Sequence, residues 1–227
     1  MGKSKGKSVS FEKVADEKII KDVQSKPQLN LPQLKSKIMA IPFHNLIILV
    51  GMIQMGLFEN INQVLLKGFI TLIPLQLVYD YILLKNVKKV SKKTSFPLLI
   101  VSSIVVSIIL ALPVYIMIVL FGAPFLSYNV ETGLLCLHLS MLTFNPLLIL
   151  FKFDYDQFMD IFKVDKIYKS IFMNPVLSAS LMTLIGTWFG VLPIPLDWDR
   201  PWQQWPITLV IGAYLGSIAG SLVSLLF

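Results

Sequence analysis

The stretch FPLLIVSSIVVSIILALPVYIMIVLF, Phe96–Phe121, decides the fold class of this chain. It carries no charged residue and exceeds the roughly 20 apolar residues that a helix needs to cross a bilayer core of about 30 Å. In hydrocarbon every backbone N–H and C=O must be satisfied within its own segment, so an apolar run of this length reads as a membrane helix. Pro113 inside it predicts a kink.

Five further apolar runs flank this one, at about 41–58, 64–84, 131–151, 173–192 and 206–226. The whole chain has 227 residues, 55% hydrophobic and 15% charged, with a mean hydropathy of +0.72. Soluble domains sit nearer 45–50% apolar and about 25% charged. The expected architecture is therefore an all-α polytopic membrane protein of about six transmembrane helices.

The charges set its orientation. Nine lysines lie in 1–40, five in 85–93 and four in 152–169, and Lys67 and Arg200 are the only other basic residues. Cytoplasmic loops carry the Lys/Arg excess. Six crossings put both termini and the links 85–95 and 152–172 in the cytoplasm. The links 59–63, 122–130 and 193–205 then lie on the opposite face, with Arg200 as their single basic residue. An odd number of crossings would spoil this agreement. Residues 1–40 read as a basic, flexible cytoplasmic tail near anionic headgroups. Phe11–Val23 is a candidate short surface helix within it, and Pro27 and Pro32 break anything longer.

Several chemistries are excluded at this level. One cysteine, Cys136, rules out an internal disulfide framework and a CxxC metal site. His44 and His138 stand far apart, which leaves too few ligands for zinc. Gly6-Lys7-Ser8 lacks the first glycine of a phosphate-binding loop, because Met1 occupies that position. Met1-Gly2 suggests myristoylation, but Gly6 stands where Ser or Thr is required. No apolar segment follows the first lysines, so a cleaved signal peptide is not expected. The lysines flank apolar runs instead of forming a stripe with aromatics, so no nucleic-acid partner is expected.

Intramembrane polar residues are sparse. Gln76 and Asp80 share a face of the second run, and Glu131, His138 and Asn145 form one stripe on the fourth. Such residues serve either as interhelical hydrogen-bonding glue or as part of a lipid or proton path.

The most unusual segment precedes the last run. All four tryptophans, Trp188, Trp198, Trp202 and Trp205, lie within it or at its edge. Pro193, Pro195, Pro201 and Pro206 stiffen it, and Asp197, Asp199 and Arg200 concentrate charge in it. Three readings are open. Arg200 pairs with a neighbouring Asp; Arg200 meets a lipid phosphate or the loop docks on a partner; or Asp197 and Asp199, facing one way in an extended segment, hold a divalent metal. Gly186 and Gly190 on the fifth run, and Gly212, Gly216 and Gly220 on the sixth, have the spacing of close helix packing. Either these two helices pack on each other or they dock on another membrane protein.

The block GTWFGVLPIPLDWDRPWQQWPI at 186–207, followed by GAYLGSIAG at 212–220, resembles the signature of the PIG-F family of glycosylphosphatidylinositol (GPI) biosynthesis. Phe121-Gly122-Ala123-Pro124 and Glu131-Thr132 resemble a second, weaker block. The lysine-rich N-terminal segment is similar to that of fungal members. The resemblance implies a multi-pass protein of the endoplasmic reticulum. It implies a non-catalytic subunit that binds and stabilises large multi-spanning ethanolamine-phosphate transferases, which move phosphoethanolamine from phosphatidylethanolamine to GPI mannoses. The expected partner- or lipid-binding residues are Asp197, Trp198, Asp199, Arg200, Trp202 and Trp205 with the five glycines. No catalytic residue, metal or cofactor is expected. The competing functions are direct phosphoethanolamine transfer through Asp197 and Asp199, and lipid transport or scrambling along the polar face of the fourth helix.

Overall fold

A computed structural model describes residues 32–88, 95–163 and 167–227. The described residues are all-α apart from one isolated antiparallel bridge, Leu34 to Val87. Eight α-helices follow in order: α1 Phe43–Gln54, α2 Ile61–Asn86, α3 Phe96–Leu120, α4 Asn129–Phe151, α5 Tyr155–Met159, α6 Ile167–Met173, α7 Pro175–Phe189 and α8 Ile207–Val223.

α4 is the central helix. It packs against α2, α3, α7 and α8, and the outer helices form an arc in the order α3, α2, α1, α8, α7. Over its membrane-length window 78% of α4 is buried, against 22% for α3. α3 turns a continuous apolar stripe outward: Leu98, Val101, Val105, Ile109, Leu112 and Ile116 are all exposed. An exposed apolar face of this length needs a hydrocarbon solvent. α2, α3 and α4 are long and apolar enough to cross a membrane, and the pair α6–α7, bent by 105°, adds one span if it is counted as a unit. The chain is an all-α membrane protein.

Several expectations need correction. The first run yields a helix of only 12 residues and the last one of 17, shorter than the roughly 20 of an ideal span. Tight turns end α1 at Met55, and a run of turns from Gly190 takes over from α7 before α8 begins. The third run is helical from Phe96 to Leu120, with Pro113 inside the helix. The lysine link 152–172 is not a plain loop. It holds α5, a 3-10 turn over Asp160–Lys163 and α6. There Asp160 accepts a 2.9 Å hydrogen bond from Lys163 and holds its ammonium above the usual lysine range.

Residues 33–40, expected as the end of a flexible tail, are fastened to α2. Lys35 N donates to Asn86 O and Lys88 N to Gln33 O, each at 2.8 Å. Asn86 Nδ2 donates to Ser36 O, Tyr79 Oη donates to Ala40 O, and Ala40 is fully buried. Both β-like and side-chain bonds here depend on the end of α2, which no local pattern in 33–40 announces. The proposed surface helix Phe11–Val23, Lys89, Lys92, Lys93 and Lys166 lie outside the described residues.

The intramembrane polar residues hold helices together. Gln76 Oε1 accepts from His44 Nε2 at 2.9 Å, and Gln76 Nε2 donates to Asp80 Oδ1 at 3.0 Å and Asn145 Oδ1 at 2.8 Å. Asn145 Nδ2 passes on to Ser103 Oγ at 3.2 Å. One network thus joins α1, α2, α3 and α4. A second centres on His138. Its Nε2 faces the Leu65 carbonyl at 3.0 Å, which can only accept, so Nε2 carries the proton and Nδ1 accepts from Tyr214 Oη at 2.7 Å. Asn45 Nδ2 donates to Ser217 Oγ, tying α1 to α8. Glu131 is half-buried at the start of α4, outside both networks.

Candidate functional site

α7 and α8 make the most extensive helix pair in the fold. α7 starts where Asn174 Oδ1 accepts from Val176 N, with Pro175 in the first turn, the preferred start for both residue types. The glycines explain the close approach. A Cβ on Gly186 would meet the Gly212 carbonyl oxygen, and its carbonyl carbon at 2.9 Å. One on Gly216 would meet the Met182 carbonyl in the same way, and one on Gly190 would lie 2.7 Å from Leu209 Cα. Gly220 faces Ser178 and Met182, and Ser178 Oγ donates back to Gly220 O at 2.6 Å. The five glycines form one seam inside the pair. Because they carry no side chains, the seam's outer side is a groove of 440 Å³, lined also by Phe189, Pro193, Trp202, Thr208, Leu215 and Ala219.

Between these helices the chain turns through 190–206. Gln203 holds this loop. Its Nε2 donates to Pro193 O and Leu196 O and its Oε1 accepts from Arg200 N, all at 2.8 Å. It is 8% exposed, so the prolines and one buried amide together fix the loop. Trp205 donates from Nε1 to Thr132 Oγ1 on α4 at 3.0 Å. Trp198 and Trp202 pair with ring centroids 5.8 Å apart, while Trp188 stands exposed on α7. Such rings suit the membrane–water boundary.

Asp197, Asp199 and Arg200 line one hollow of 690 Å³ with Ile194, Leu196, Pro201, Gln203 and Gln204. All three charged residues are exposed. No ion pair joins Arg200 to either Asp. The extended geometry assumed for a metal-binding Asp-x-Asp is also absent, because Asp199 lies in the left-handed region at φ 46°. Among the described residues no group of three or more His, Cys, Asp or Glu is placed to hold a metal ion.

A third concavity was not anticipated. The arc of helices is open between α3 and α7, and there a cleft of 480 Å³ runs along α4. Pro113, Met117 and Phe121 form one wall, Leu184 and Trp188 the other, with Leu139 and Phe144 of α4 and Trp205 between them. The sequence-predicted residues therefore divide by role. The glycines meet in the seam, the charges share the hollow, and Trp205 anchors the loop to α4. Gln203 and Thr132 lie inside the two family blocks, but their roles were not anticipated, because their partners are chosen by the turn of the loop.

The family model of the GPI biosynthesis protein family Pig-F matches residues 40–225. The chain belongs to the PIG-F family. Curated relatives agree along nearly the whole length. Glycosylphosphatidylinositol anchor biosynthesis protein 11 of Candida albicans is 45% identical over 90% of this chain and 87% of its own. The protein of that name from Debaryomyces hansenii is 43% identical over 99% of this chain and 98% of its own. That of Saccharomyces cerevisiae is 32% identical over 82% of this chain and 77% of its own. No solved structure matches. The family match begins where the fastened segment 33–40 ends and takes in all eight helices. The chain is thus a membrane protein of a GPI biosynthesis family.

Proposed function

We propose that this chain is a non-catalytic, multi-pass subunit of the endoplasmic reticulum membrane that binds and stabilises ethanolamine-phosphate transferases late in GPI-anchor biosynthesis. In this reading residues 41–227 cross the bilayer six times, with α1 and α8 as short spans, both termini cytoplasmic and 193–205 luminal. The lysine distribution supports that orientation. The observation that carries the partner reading is the groove outside the glycine seam. It floors a face of α7–α8 with backbone, where a partner helix gains close van der Waals contact in lipid. Pro193 and Trp202 continue the groove to the loop, so one partner can grip the helices and the loop together.

A partner that buries this face is stabilised by mass action and exposed when the subunit is lost. Depleting the protein is expected to lower the abundance of an ethanolamine-phosphate transferase several-fold. GPI intermediates lacking ethanolamine phosphate on the outer mannose should accumulate. Unchanged transferase levels with normal intermediates would contradict the proposal.

A further inference from the structure

We infer that residues 32–40 form a clasp that holds the α7–α8 pair in place relative to α2, and so sets the position of the groove outside the glycine seam. The use of that groove by a partner rests on the function proposed above. The segment lies almost wholly outside the family match, which begins at residue 40. It nevertheless reaches the ends of three helices. At α7, Asn174 Nδ2 donates to Pro32 O at 3.4 Å, while Asn174 Oδ1 caps the start of the helix. At α2, the main-chain bonds of Lys35 and Lys88 are joined by Ser36 N to Asn86 Oδ1 at 2.8 Å and by Lys35 Nζ to Lys85 O at 2.7 Å. At α8, Lys37 Nζ donates to Ser224 O at 2.8 Å.

Two lysines of the basic segment are thereby committed to helix C-termini. Lys85 lies in the last turn of α2, and Ser224 closes α8 and is fully buried. The last carbonyls of a helix lack donors within it and carry the negative end of its dipole, so an ammonium is held well there. Leu34 and Ala40 add apolar contact. They belong to one cluster with Leu83 and Val87 at the end of α2 and with Val176 and Leu177 at the start of α7. In the arc of helices α1 stands between α2 and α8, and the clasp spans that distance. Apolar burial gives little drive for helices to associate in lipid, so hydrogen bonds at the end of the bundle weigh heavily on how far α8 stands from α2.

The test uses the full purified chain in detergent with no transferase present. Spin labels are placed at Ile82 on α2 and Leu222 on α8, which are 40% and 44% exposed, in a Cys136→Ser background. Pulsed electron paramagnetic resonance reads their separation. Lys37→Met keeps the aliphatic stem and removes the ammonium, and is expected to lengthen the separation by several ångströms. Lys37→Arg keeps a cationic donor and should restore it. The pair Ile82 and Val101, which the clasp does not bridge, should keep its separation in both variants. In native membranes, photo-crosslinking from position 215 to a transferase should fall several-fold in Lys37→Met and recover in Lys37→Arg. An unchanged Ile82–Leu222 separation in Lys37→Met would overturn the clasp, and so would an equal lengthening of Ile82–Val101, the mark of a general loosening. A lengthened separation with undiminished crosslinking would overturn its hold on the groove. No crosslink in the unaltered chain would count against the transferase reading, and the separation alone then decides the clasp.

Discussion

Gly216→Leu is expected to remove most of the folded protein from the membrane. Its Cβ would press on the Met182 carbonyl, with the carbonyl carbon 2.9 Å away. Both sides of that contact are backbone, so no rotamer change relieves it, and α7 and α8 must separate. Overpacking a core costs about 1–3 kcal/mol where side chains can yield, and here they cannot. Gly186→Ala should do the same through Gly212. The control is Gly133→Ala on α4, where nothing lies within 4 Å of the new methyl; it should be neutral or stabilising by up to about 1 kcal/mol. Steady-state abundance and thermal unfolding in detergent measure both effects. If Gly216→Leu left abundance intact and removed only the transferase contact, the seam would not be the internal joint described above.

The second large effect is at Gln76. Gln76→Leu leaves His44 Nε2, Asp80 Oδ1 and Asn145 Oδ1 without the partners they have now. Asp80 is fully buried and its Oδ2 already lacks a partner, so the substitution removes the hydrogen bond that Gln76 gives to its Oδ1. A buried polar group left unpaired costs about 1–3 kcal/mol. The expected result is a melting temperature lowered by several degrees. Adding Asp80→Leu to Gln76→Leu should recover part of the loss, because removing both partners is cheaper than removing one. A double variant that loses the sum of both single losses would show that the network is not the source of the effect.

Much of this was legible in the residues, and the rest was hidden for specific reasons. Gln76 and Asp80 meet because one helix places i and i+4 on one face, so a single periodicity sufficed. Spacing also showed that Gly186, Gly212 and Gly216 permit close approach, but not which surface they approach. Only the packing of α7 on α8 decides that the seam is internal and the groove external. The metal reading assumed Asp199 in an extended segment, yet its backbone is left-handed, in the loop that Gln203 holds. The fastening of 33–40 depends on Asn86 and Val87, about fifty residues further on, and no local pattern reports such a contact. The cleft along α4 arises from a gap between α3 and α7, which is a property of the helix arrangement and of no single segment.

The central claim is that the outer face of α7–α8 grips a transferase. Site-specific photo-crosslinking from Leu215 in native membranes tests it most directly, since Leu215 lines the groove and is 49% exposed. The account predicts a covalent adduct with an ethanolamine-phosphate transferase from position 215, and none from Val101, which is 55% exposed on the opposite wall of the arc. An adduct formed from 101 and not from 215 would contradict it.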